Sequence, residues 1–168
     1  MILHRTKDLR RYQTFHFDGW LGGLYASPNL QGTRSGLPMA AAWAVMRHLG
    51  VDGYVALTER TLATADRMRS AIAGIEGLRV LGDGGLHLVA MAADPASPDP
   101  LDVFAVGDGL GARGWYHDRQ GPPDSLHSTV SNGNAASIEA WVADLGVVAA
   151  EVRGRRVEDR STSYATLE

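Results

Sequence analysis

The spacing of apolar and polar positions divides the chain into stretches of different character. Residues 1–11 alternate apolar and basic side chains and read as an extended, solvated arm. Residues 16–36 hold five glycines and Pro28 and read as a long loop. From Leu37 to Leu49 the chain is apolar nearly all round, which predicts a buried helix. Pro38 suits its first turn and Gly50 its C-terminal cap. A second helix is predicted from about Gly53 to Ile75, with Asp52 as N-cap. Leu62, Ala65, Met68, Ile72 and Ile75 form its single apolar stripe.

Beyond Gly77 the period shortens. Residues 78–81 read as a strand, 82–85 as a turn, and 86–92 as a strand apolar on both faces and hence central. Asp99 and Pro100 predict the start of a helix running from Leu101 to Arg113, weakened by Gly107, Gly109 and Gly111. Residues 115–116 and 125–130 are candidate strands about the turn Gly121-Pro-Pro123. Asn134 is expected to cap a last helix carrying Ile138, Trp141, Val142 and Leu145 on one face. Residues 151–168 lack apolar periodicity and read as a frayed tail. The order predicts long helices followed by a small, mostly antiparallel sheet covered by helices on one face.

Composition narrows the chemistry. Among 168 residues, 16 Lys+Arg stand against 19 Asp+Glu, a net charge of −3, which argues against a general nucleic-acid binder. There is no cysteine, so a disulfide scaffold, a thiolate metal site and a cysteine nucleophile are excluded, and a reducing, cytoplasmic setting is expected. No apolar run reaches the ~20 residues of a membrane helix. The six histidines show no metal-ligand spacing, so no metal is expected. Gly109-Leu-Gly-Ala-Arg-Gly114 matches the dinucleotide fingerprint in letters only. Nothing after Gly114 starts the helix that a pyrophosphate would need, so a glycine-rich helix end is expected there.

The segment Gly32-Thr-Arg-Ser-Gly36 is chemically richer. It runs into a predicted helix, its glycines allow close backbone approach, Thr33 and Ser35 offer hydroxyls, and Arg34 offers a bidentate fork for phosphate. On the residues alone two readings stay open: a phosphate-binding loop, or a tight loop whose Arg34 pairs with an internal carboxylate.

Trp20-x-Gly-Gly-x-Tyr25-Ala-Ser-Pro28, then Gly32-Thr-Arg-x-Gly36, Trp43 and Gly50-x-x-Gly-Tyr54, resemble the pyridoxal-phosphate (PLP) lyases related to sphingosine-1-phosphate lyase, in the group II decarboxylase branch. Gly114-Trp115, Pro122-Pro123 and Leu126-His127 extend the resemblance, which covers roughly residues 10–146. Thr33 stands where that family commonly has serine. The resemblance implies the C-terminal part of a fold-type-I α/β enzyme that works as a homodimer on a small phosphorylated amine. It implies Gly32 and Thr33 at the cofactor phosphate across the dimer interface, with Arg34 of the phosphate-loop reading beside them as a cofactor-binding residue, and Tyr25 in the substrate-phosphate or catalytic region. It also implies four stretches: the arm and glycine loop (1–36), two long helices joining a large domain (37–76), a small α/β domain (77–150) and a flexible tail (151–168).

The departure concerns lysine. PLP chemistry uses a lysine to hold the cofactor and shuttle protons, and Lys7 is the only one in the chain. It sits in a charged arm without the sequence context of the family's Schiff-base lysine. The expected function is therefore that of a fragment: part of a carbon–carbon lyase cleaving a phosphorylated long-chain amino alcohol, inactive by itself. The alternatives are a fragment of an amino-acid decarboxylase, or a non-catalytic dimerisation or regulatory domain.

Overall fold

A computed structural model describes residues 3–29, 32–82 and 86–162. The turn expected at 82–85 falls largely outside them, as do the last six residues of the expected tail. The chain divides into two compact units, residues 1–49 and 50–168.

In the first unit, the arm is not extended throughout. Lys7–Arg11 forms a short helix, α1. Thr6 caps it, its Oγ1 accepting the Leu9 N–H at 3.2 Å, a local bond that the charge pattern hides. The glycine-rich stretch is likewise more ordered than a loop. β1 (Phe15–Phe17) and β2 (Tyr25–Ser27) pair antiparallel, with Phe15 opposite Ser27 and Phe17 opposite Tyr25. Aromatic and β-forming residues at both ends close the hairpin around the glycines.

α2 is assigned over Leu37–Ala73, but Gly50 breaks it with φ 62° and ψ −171°. That backbone is open to glycine and strained for other residues, so two helices meet there, as Gly50 in a capping role predicts. Asp52 lies inside the helical assignment and is not an N-cap. The first stretch, 37–49, corrects the expectation of burial. Leu37, Met39 and Trp43 are 73%, 70% and 63% exposed. Its apolar circumference is left uncovered by the described residues.

The second unit holds the core. Thr64, Ala65, Met68 and Ile72 of α2 are buried, which confirms the stripe read from the spacing. β3 (Leu78–Leu81), β4 (Leu88–Ala93), β5 (Asp118–Gln120) and β6 (Ser125–Thr129) form one antiparallel sheet in the order β3-β4-β6-β5. β4 is interior, as its apolar run predicts. Residues 115–116 are not a strand; β5 begins two residues later.

α3 spans Val103–Gly111, shorter than expected, because Asp102 and not Asp99 is its N-cap, accepting the Phe104 N–H at 3.0 Å. Asp99 instead pairs with Arg153 at 2.7 Å. The α3 glycines mark close approaches. A Cβ on Gly107 would stand 3.0 Å from Leu126, and one on Gly109 would stand 2.6 Å from Val148. They let α3 settle against β6 and against α4 (Ile138–Glu151). Gly109 and Gly111 therefore belong to a helix end, as the missing downstream helix predicts.

α4 is preceded by a 3-10 turn, Asn132–Ala136. Asn134 does not cap α4; its Oδ1 accepts from the Ser131 N–H at 2.7 Å and the Ser131 hydroxyl at 2.9 Å. Trp141 and Leu145 are buried, with Ile138 and Val142 packed at the edge of the core. The tail, as far as residue 162, is not frayed. Val152 is buried, the Val157 N–H donates to Asp102 at 2.9 Å, and Arg160 pairs with Asp102 and Asp124. Ion pairs hold it, and a hydrophobic-period reading cannot see them.

Candidate functional site

The residues singled out for chemistry lie in the first unit. Tyr25 begins β2, 43% exposed, with its ring edge-on to Trp20 at 6.5 Å and tilted against Phe15 at 6.5 Å. The three rings hold one another in place and leave the Tyr25 hydroxyl without a hydrogen bond among the described residues. Ser27, next but one along β2, is buried and donates its hydroxyl to the Asn29 carbonyl at 2.6 Å, fixing the exit of the hairpin.

Gly32, Thr33 and Arg34 are exposed. A Cβ on Gly32 would meet nothing within 4 Å, so the space a ligand would need beside it is open. Ser35 ends the segment: its Oγ accepts the Leu37 N–H at 3.2 Å and starts α2. Among the described residues neither the Thr33 hydroxyl nor the Arg34 guanidinium has a hydrogen-bond partner, and Arg34 is in no ion pair. The internal-carboxylate reading of Arg34 thus has no partner among them. Donors of this kind, hydroxyl and guanidinium on an open glycine segment, fit a phosphate group.

The structure also gathers residues that spacing could not connect. Arg34 lines a cleft of about 720 Å³ with Leu3, His4, Arg5, Thr6, Lys7, Arg10, Gln13, Pro28 and Asn29. Arm and hairpin are tied by Gln13, whose Nε2 donates to the Pro28 carbonyl at 2.7 Å while its Oε1 meets the His4 ring. The only advance signal was the local basic excess of the arm. Tyr25 does not line this cleft.

A second polar cavity, of about 280 Å³, lies in the second unit between α2, β6 and α4. His117 is half-buried on its wall. The Trp141 indole N–H donates to His117 Nε2 at 3.1 Å, so Nε2 carries the lone pair. Nδ1 then carries the hydrogen and donates to the Ser128 Oγ at 2.8 Å. Burial pushes the His117 pKa down to about 4, against a smaller opposing pull from the Asp118 carboxylate. With both nitrogens engaged this way, His117 cannot act as a base towards Ser128. His127 lies 3.7 Å from Asp118 on the same wall.

No family model matches the chain. Among curated proteins, it is 32% identical over 145 residues to the sphingosine-1-phosphate lyase of Oryza sativa subsp. japonica, covering 86% of this chain and 26% of that protein. Among solved structures, the sphingosine-1-phosphate lyase of Burkholderia pseudomallei superposes with a TM-score of 0.75 at 36% identity, over 89% of this chain and 33% of that one. The chain is similar to a C-terminal part of the sphingosine-1-phosphate lyases. It spans about a quarter of the length of the curated lyases it matches. The glutamate decarboxylase of Lactobacillus brevis shares the fold at a TM-score of 0.69 and 15% identity. Likeness to the lyases therefore reaches sequence as well as fold, whereas likeness to this decarboxylase is of fold alone. Among the described residues no helix is long and apolar enough to cross a membrane.

Proposed function

We propose that this chain forms part of a PLP-dependent carbon–carbon lyase that acts on a phosphorylated long-chain amino alcohol. The observation that carries the reading is the match to sphingosine-1-phosphate lyase at 36% identity across 89% of the chain. The donors of Thr33 and Arg34, exposed and without a partner among the described residues, support it. In the complete enzyme PLP supplies an electron sink for the carbon–carbon cleavage. Gly32 gives its phosphate room, the Thr33 hydroxyl donates a hydrogen bond, and Arg34 contributes a charge-assisted pair. Tyr25, braced by Trp20 and Phe15, places a phenol hydroxyl at the catalytic centre for orientation or proton transfer.

The lysine that holds the cofactor is not Lys7 on this reading. Lys7 lies on α1 among other cations, in a cleft that Tyr25 does not line, and the rest of the site comes from the parts of the lyase that this chain does not span. A homodimer would bring Gly32 and Thr33 to the cofactor of a partner subunit.

The test has two arms. The 168-residue chain is mixed with PLP, dialysed and examined by absorbance; no cofactor band should survive. A complete enzyme carrying this segment is then assayed with a phosphorylated amino alcohol and with amino acids. Aldehyde release from the former supports the lyase reading, while carbon dioxide release from amino acids alone replaces it with a decarboxylase. Thr33→Ala and Arg34→Ala should each weaken PLP binding about tenfold or more.

A further inference from the structure

We propose that the N-terminal arm and the glycine segment together form a binding cleft for a phosphate monoester, built from Arg5, Lys7, Arg10 and Arg34 with His4 at its edge. The proposal rests on the reading that Arg34 meets a phosphate, and it adds ligands from the arm to which neither the sequence nor the comparisons give a role.

The first argument is charge. Among the described residues, four permanent cations line one cleft and no carboxylate does. Asp8 shares α1 with Lys7 but is not on the cleft wall. Like charges drawn onto one wall repel, so an unoccupied cleft of this kind carries a cost that a bound anion removes. A dianionic phosphate with three terminal oxygens satisfies several such donors at once, and a singly charged carboxylate satisfies fewer.

The second argument is placement. Lys7 and Arg10 are three residues apart on α1, so their side chains leave the same face. Arg34 joins them from the segment that follows β2. The Gln13 side chain, from the His4 ring to the Pro28 carbonyl, ties the arm to the end of the hairpin. Arg5 and Arg34 supply planar forks, whereas Lys7 supplies a point charge, a mixture that suits the terminal oxygens of a monoester. Among the described residues the apolar wall is Leu3 and Pro28 alone, so the cleft selects for the charged end of its ligand.

The same phosphate chemistry could arrive as a small solute or as a lipid headgroup, and the experiment separates them. Inorganic phosphate is titrated into the full 168-residue chain by calorimetry. In parallel the chain is sedimented with phosphatidylcholine vesicles with and without phosphatidic acid. Binding to either phosphate probe, weakening as salt is raised, is expected. Lys7→Gln/Arg10→Gln should lower it at least tenfold, and Arg34→Gln should do the same. The charge-preserving Lys7→Arg/Arg10→Lys should keep it, with circular dichroism reporting that each variant is folded. Binding of inorganic phosphate identifies a small-molecule ligand; binding confined to phosphatidic-acid vesicles identifies a lipid headgroup. Loss with Arg34→Gln alone overturns the cleft and leaves the Arg34 reading standing. No binding, or binding untouched by every variant, overturns both.

Discussion

Asp102 receives both a helix and a tail. Its Oδ1 caps α3 through the Phe104 N–H, and both its carboxylate oxygens accept from Arg160 Nη1 at 2.8 and 2.7 Å. The Arg160 guanidinium lies 4.4 Å from the Phe104 ring centroid, and Arg119 lies 4.8 Å from it. Burial works against the Asp102 carboxylate, but the Arg160 hydrogen bond and the Val157 and Phe104 N–H groups outweigh it and hold its pKa below the ordinary value.

Removing either partner should therefore release the tail and weaken the second unit. Asp102→Ala loses the cap, about 1 kcal/mol, and leaves Arg160 without its main partner. A total loss of about 2–4 kcal/mol is expected in urea unfolding followed by tryptophan fluorescence. Arg160→Ala should cost less, because Arg160 is about a third exposed and Asp102 keeps the Phe104 and Val157 N–H groups. In a double-mutant cycle the two changes should be non-additive by about 1 kcal/mol or more. Additive effects would show that the tail rests on the surface without coupling to the helix cap.

The two glycines near the end of α3 should respond oppositely to the same substitution. Alanine at Gly109 places a Cβ 2.6 Å from Val148 Cγ1, and α4 must move to admit it. Overpacking of that kind costs about 1–3 kcal/mol, more than the ~1 kcal/mol gained in helix propensity. Alanine at Gly111 meets nothing within 4 Å and should stabilise by about 0.5–1 kcal/mol. Thermal melts of the two variants read the sign directly. A stabilised Gly109→Ala would mean that α3 and α4 are less tightly packed.

These glycines show what the sequence could and could not disclose. Periodicity found the stripe at Ala65, Met68 and Ile72 and the interior place of β4, because burial on one face leaves a repeat in the letters. It read Gly107 and Gly109 only as weak points, since the reason for them is a neighbour distant in the chain. Helix starts slipped where capping is decided by side-chain geometry: Asp99, Asp102 and Asn134 are all capable caps, and only Asp102 caps an α-helix. The tail was invisible because ion pairs such as Arg153–Asp99 have no period. For the site, Gly32 to Arg34 stood out by residue type and Tyr25 by the family resemblance. The meeting of Arg34 with Lys7 and Arg10 depends on a hairpin that the glycines had disguised as loop.

The exposed helix of residues 37–49 should drive association. Leu37, Met39, Trp43, Val45 and Met46 are each about half exposed or more. A soluble monomer rarely carries so continuous an apolar surface. Sedimentation velocity should show a mass that rises with protein concentration, and Trp43→Glu with Met46→Glu should lower it. A single monomeric boundary across a hundredfold concentration range would contradict this.

His117 should make the second unit acid-sensitive well above the range of its carboxylates. Its pKa is about 4 in the fold against 6.5 ordinarily, because burial disfavours the imidazolium. Between these values the unfolded chain binds a proton that the folded chain refuses. Stability must therefore fall as pH drops from about 6.5 towards 4, and this contribution levels off below 4. A shift of that size corresponds to about 3 kcal/mol, at ~1.4 kcal/mol per pH unit. Structure gives the same sign: protonating Nε2 removes the lone pair that accepts the Trp141 indole N–H. Asp102, with its pKa lowered in the fold, loses its contribution as pH falls below the ordinary carboxylate range, so the two effects separate along the pH axis. Urea unfolding from pH 7.5 to 4 should show the decline in the native sequence. His117→Gln, which cannot titrate, should be less stable at pH 7.5 and should flatten the profile between pH 6.5 and 4.5. Two parallel profiles would mean that His117 is protonated in the folded protein or reached by water, and the cavity around it would then be open.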